Sequence, residues 1–144
     1  MVLAGGYSKV RGIRNNNPGN LKHSDDQWLG LRPVQTDPTF FQFQSAEYGI
    51  RAMARTLLTY QRRHGLDTVQ DIIMRWAPKR NEKGEIENDT LAYIKSVAQR
   101  MGVNPDDRIS VEYYLESLVK AIIVHENGFN PYSDETIREG LALV

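Results

Sequence analysis

From Ser45 onward, apolar residues recur at helical spacing, whereas residues 11 to 45 are rich in Asn, Gly, Pro and Asp with only short apolar clusters. The early segment therefore predicts turns and short strands, with Trp28 to Leu31 and Phe40 to Phe43 as strand candidates. Ser45 is placed to cap a helix in which Ala46, Ile50, Met53, Ala54, Leu57 and Leu58 follow the period of about 3.6 residues, and Gly65 ends it after His64. Thr68 and Asp71 have the capping-box spacing of a second helix. It carries Val69, Ile72, Ile73 and Trp76 on one face and must stop at Pro78.

Lys79 to Asn88 holds six charged residues and Gly84, the pattern of a solvated loop or hairpin. A third helix is predicted from about Asp89 to Met101, with Leu91, Ile94, Val97, Ala98 and Met101 inward and Gly102 as its stop. Ser110 then caps the longest apolar stripe, Val111, Tyr114, Leu115, Leu118, Val119, Ile122 and Ile123, which ends at Asn127-Gly128. A last short helix starts at Ser133, with Asp134 and Glu135 favourably placed in its first turn. The pattern predicts a mainly α fold with about five helices and a small β-region near the N-terminus (α+β in detail), and one domain over residues 1 to 144 without repeats or low-complexity linkers.

Composition narrows the function. A chain of 144 residues can bury roughly two-thirds of its unfolded surface in one core. Eighteen basic and eighteen acidic side chains create no global field toward nucleic acid or an anionic membrane, so nucleic acid is not an expected partner. The absence of cysteine rules out disulfides, thiolate metal sites and a Cys nucleophile. His23, His64 and His125 show no metal-ligand spacing, and no phosphate loop, nucleophile elbow or dinucleotide motif calls for a cofactor. Met1 to Val10 is too short and too weakly apolar for a secretory signal, and no apolar run reaches the about 18 residues of a membrane span.

Glu126 falls in the last turn of the long helix. There the negative end of the helix dipole disfavours a second negative charge, a setting suited to a carboxyl that donates a proton. A general acid of glycoside cleavage needs such a carboxyl. A surface glutamate at a frayed helix end has the same position, so position alone does not decide.

The surrounding residues add a resemblance. Val119-Lys-Ala-Ile-Ile-Val-His-Glu126-Asn-Gly-Phe-Asn-Pro-Tyr-Ser133 resembles the segment of lytic transglycosylases and bacterial glucosaminidases in which an apolar helix ends in the catalytic Glu, followed by a small residue, Gly, an aromatic and often Asn-Pro. Asn16-Asn17-Pro18-Gly19-Asn20-Leu21-Lys22 is similar to the Asn-rich turn entering the glucosaminidase family's first strand, with Trp28 and Gly30 matching the next. Phe40-Phe41-Gln42-Phe43-Gln44-Ser45-Ala46-Glu47 resembles the aromatic strand and Ser-capped helix that follow. Trp76-Ala-Pro78, Asn88-Asp-Thr90 and Tyr93-Ile94 are similar to the family's loop and the helix bearing a substrate-side Tyr.

The order departs from that family, because the Glu-bearing helix follows the segments it normally precedes. A circular permutation accounts for this, since chain ends that lie close together can be rejoined without altering a core. The opening Arg11-Gly-Ile-Arg-Asn-Asn-Asn-Pro-Gly-Asn-Leu21 also resembles that of small phage virion proteins, and with the motifs through Gly140 this likeness covers nearly the whole chain.

The resemblance implies a lysozyme-like fold and cleavage of peptidoglycan glycan strands, with Glu126 catalytic and substrate-side roles for Tyr93, Trp28, Asn17, Asn20 and Asn88. It further implies a place in a phage particle or host cell, action at the bacterial wall, and other virion proteins as partners. Asp37, in Thr36-Asp37-Pro38, is the natural second carboxylate, and is equally readable as an Asp-Pro turn residue. Glu47 competes for that role but lies in a helix's first turn, where the anion is stabilised structurally.

Tyr93 can hydrogen-bond a sugar or only pack beside Ile94, and Trp28 is a better sugar platform than Trp76, which sits on an apolar helix stripe. One carboxylate acting alone would give anhydro sugars, whereas help from Asp37 would give hydrolysis. The rival reading is a non-catalytic virion structural or wall-binding protein that keeps the fold without the chemistry.

Overall fold

A computed structural model describes residues 9–144. Met1 to Ser8, most of the segment judged too short for a signal, lie outside the described residues. The protein is mainly helical, with six helices among the described residues: α1 (Arg11–Arg14), α2 (Ala46–His64), α3 (Val69–Trp76), α4 (Thr90–Met101), α5 (Val111–Asn127) and α6 (Asp134–Ala142). None of them is long and apolar enough to cross a membrane.

The helix starts obey capping chemistry. Thr68 accepts the amide of Asp71 at 3.1 Å, Ser110 that of Tyr113 at 3.2 Å and Ser133 that of Thr136 at 3.1 Å. Asp89 does the same for Ala92 at 3.1 Å. Each such cap contributes about 1 kcal/mol. Gly102 ends α4 in the left-handed conformation at φ 73°, and Pro78 stands just beyond the end of α3.

Three expectations need correction. A one-turn helix, α1, forms within the segment read as turns, which makes six helices where five were expected. The two strands predicted there reduce to isolated antiparallel bridges, Lys22 with Phe40 and Leu31 with Phe43. The physical reason is that side-chain amides take some of the carbonyls a longer ladder would use. Asn17 donates to the carbonyl of Phe41 and Asn16 to that of Phe43, while those of Leu21 and Gln42 still accept the backbone amides of Phe41 and Arg32. Leu91, assigned inward on α4, is 80% exposed because it lies in the first turn, off the face of Tyr93, Ile94, Val97 and Ala98 that is buried.

The chain divides into two compact units, with the divisions falling inside α2 and α5. One holds residues up to Thr56 together with Ile122–Val144. In it, Phe41, Phe43 and Ala52 form an apolar cluster joined by Leu21, Trp28, Leu31 and Tyr48. Gly140 of α6 lies so close to Ile50 of α2 that a Cβ there would meet its side chain at 2.7 Å.

The other unit is Leu57–Ala121. Here α3 packs on α4, and Val69, Ile72, Ile73, Tyr93, Ile94, Val97 and Leu118 are buried. Gln61 fastens the approach to α5 by donating to the Ile109 carbonyl at 3.0 Å and accepting the Val111 amide at 2.8 Å. Lys79 to Asn88 folds back as a hairpin-like turn, with a bridge between Arg80 and Ile86.

Candidate active site at the Asn-rich turn

Beyond α1 the chain reverses through Asn15-Asn16-Asn17-Pro18-Gly19-Asn20. Asn16 and Asn20 both take left-handed backbone conformations at φ 51°, which Asn tolerates better than most residues. Gly49 of α2 lets the turn approach, since a Cβ at that position would collide with the Asn16 carbonyl oxygen. Asn17 is fully buried and spends its side chain inside the turn. It donates to the carbonyls of Leu21 and Phe41 at 3.0 and 2.9 Å and accepts the Leu21 amide at 2.9 Å.

The last turn of α5 meets this structure. Asn20 Nδ2 donates to Glu126 Oε1 at 2.9 Å, joining residues 106 positions apart. Asn127 Nδ2 donates to the Pro18 carbonyl at 2.8 Å and to the Ile123 carbonyl at 2.9 Å, which ties the helix end to the turn. Glu126 is half-buried, with its neighbour His125 exposed. The Asn20 side chain thus holds one oxygen of a half-buried carboxyl.

Asp37 is held differently. Its carboxylate accepts Arg11 Nε at 2.7 Å, Arg11 Nη2 at 2.6 Å, Asn15 Nδ2 at 2.9 Å, and the amides of Thr39 and Phe40 at 2.8 and 3.0 Å. Arg11 also lies over the Phe40 ring, 4.6 Å from its centroid. The Arg11 guanidinium holds the Asp37 carboxyl well below the usual carboxylate range, burial opposes this, and the Asn15 side chain with the two amides adds to the lowering. An anion so fully occupied is a poor base and a poor nucleophile.

The remaining candidates occupy varied places. Tyr93 is 2% exposed on the inner face of α4. Asn88 donates to the Pro78 carbonyl at 2.9 Å, bracing the base of the hairpin. Trp28 is half-buried against the cluster of Phe41, Phe43 and Ala52. Trp76 is also half-buried and stands edge-on to Tyr60, their centroids 6.4 Å apart. Glu47, at the start of α2, is near enough to Tyr132 that its charge adds to the upward push of burial on that buried phenol. Sequence reasoning missed Arg11, Gly12 and Asn127 as parts of this region. Arg11 and Gly12 stood inside a quoted motif, but nothing in their spacing indicates which side chains 26 or more positions away they would meet.

No protein-family model matches the chain. With its Asn-rich turn and Glu-bearing helix end, the chain is a mainly helical member of a family with a bacteriophage protein in it. That protein is Protein P5 of Pseudoalteromonas phage PM2, which is 43% identical over 134 residues, covering 91% of this chain and 79% of its own length. This chain belongs to the same family.

Proposed function

We propose that this protein is a phage virion component that cleaves the glycan strands of bacterial peptidoglycan through a single acid–base residue, Glu126, in a permuted lysozyme-like fold. The observation that carries the reading is the hydrogen bond of Asn20 to Glu126, because it joins the two sequence segments that resemble neighbouring parts of wall-degrading enzymes. Kinship to a phage protein adds a setting in which wall cleavage is useful.

Asp37 is engaged by Arg11, which favours chemistry with one carboxylate over two. Glu126 in its acid form gives its proton to the glycosidic oxygen as the C1–O bond breaks, and positive charge develops at C1 and the ring oxygen. The carboxylate then takes the proton of the C6 hydroxyl on the same sugar as that oxygen bonds to C1. The product is a 1,6-anhydro end, no water is consumed, and Glu126 returns to its acid form.

A non-catalytic wall-binding or structural virion protein is the second reading. The observation favouring it is that Tyr93, Asn17 and Asn88 are occupied in structural contacts, which leaves them poorly placed to hold a sugar. Mass spectrometry of material released from purified peptidoglycan separates the two. Anhydro ends support the one-carboxylate enzyme, and reducing ends point to hydrolysis. Retention on the wall with no soluble product supports the second reading.

A further inference from the structure

Asn20 was expected on the substrate side, yet its amide is directed at Glu126. Its backbone is fixed at φ 51° and its amide N–H donates to the Asn17 carbonyl at 2.9 Å, so the side chain springs from a closed turn. Its Nδ2 lies 2.9 Å from Glu126 Oε1, while its Oδ1 is buried and accepts no hydrogen bond. Asn127 shows the same division. Its Nδ2 is tied to the carbonyls of Pro18 and Ile123, and its Oδ1 is likewise buried without a partner. Both oxygens turn toward Gly12, where a Cβ would stand 2.9 Å from Asn20 Oδ1 and collide with Asn127 Oδ1. Two amides thus give up a hydrogen bond to their oxygens, and each keeps its nitrogen on a defined acceptor. A carboxylate only accepts, which explains why Asn20 presents nitrogen rather than oxygen to Glu126.

We propose that Asn20 is the positioning residue for Glu126, seated by Gly12, and that it acts by holding the carboxyl through Oε1. The inference rests on the reading of Glu126 as the acid. An N–H donor disfavours a proton on the oxygen it serves, so the acid form of Glu126 keeps its C=O toward Asn20. Asn127 fixes the helix end from which Glu126 projects, and Asn20 fixes the carboxyl itself. Asn20 therefore acts through Glu126 and contributes to the rate of the chemical step more than to substrate affinity.

The test compares wild type, Asn20→Asp and Asn20→Gly in steady-state release of soluble fragments from purified peptidoglycan, over a range of pH. Both substitutions tolerate a positive φ, so the turn is kept, and thermal unfolding verifies this. At neutral pH both should lose about 10-fold to 100-fold in kcat with KM within about twofold of wild type. Asn20→Asp alone should regain activity relative to wild type below about pH 5, where the introduced carboxyl protonates and can donate again. Unchanged kcat in a folded Asn20→Asp, a raised KM at unchanged kcat, or identical pH profiles for the two variants would overturn the positioning role while leaving Glu126 in place. A wild type that releases nothing would overturn the Glu126 reading and this inference together.

Discussion

Removing the Asp37 carboxylate should destabilise the protein rather than strike its chemistry, and the size of the loss can be worked from its contacts. In Asp37→Ala the Asn15 amide, on a residue only 1% exposed, loses its acceptor at a cost of about 1–3 kcal/mol. Arg11 is 43% exposed, so its guanidinium returns to water and the lost ion pair adds little. The amides of Thr39 and Phe40 lie beside solvent and add roughly 1 kcal/mol between them. The sum is about 2–4 kcal/mol, near the usual cost of breaking a buried pair from one side. For 144 residues it lowers Tm by roughly 6–13 °C.

The same anion sets an acid limit. Its carboxyl titrates well below the ordinary range when folded and near about 3.9 when unfolded. The stability it contributes is therefore complete above about pH 4 and falls away as pH drops below that value. Thermal unfolding followed by circular dichroism, at neutral pH and down to about pH 2.5, checks both statements, and Asp37→Asn should lack most of the acid-side decline. An Asp37→Ala protein within about 1 kcal/mol of wild type would refute the ledger. An Asp37→Asn protein that melts like wild type but releases no peptidoglycan fragments would refute the structural assignment and return Asp37 to the chemistry.

Two further substitutions probe the packing. Gly49→Ala gains about 1 kcal/mol in helix propensity but drives a Cβ into the Asn16 carbonyl oxygen. Backbone must move, so the variant should be less stable by about 2 kcal/mol in urea unfolding. Leu91→Lys removes a large apolar side chain that is 80% exposed, and should alter stability by less than about 0.5 kcal/mol in the same assay.

Helices were legible in the sequence where period and cap agreed. Thr68, Ser110 and Ser133 mark starts that the structure realises with direct hydrogen bonds. Leu91 failed because a first-turn apolar residue satisfies a periodic count without facing the interior. The segment before α2 was the least legible, since its order comes from side-chain amides. Asn17 and Asn16 serve the carbonyls of Phe41 and Phe43 in place of strand partners, and no periodicity reports that.

Of the candidate site, the composition of the Asn-rich turn and the position of Glu126 were visible, but their hydrogen bond across 106 positions is a tertiary fact. Asp37 was visible as an isolated carboxylate. Its partner Arg11 was not, because an ion pair between residues 26 apart leaves no local pattern.

The most direct test of Glu126 as the glycan-cleaving acid pairs wild type with Glu126→Gln on the same purified peptidoglycan, scoring soluble fragments and retained protein together. The account predicts release by wild type, no release by a folded Glu126→Gln, and equal retention of both on the wall. Fragment release by Glu126→Gln at the wild-type rate, or none by wild type where a control lysozyme succeeds, would contradict it.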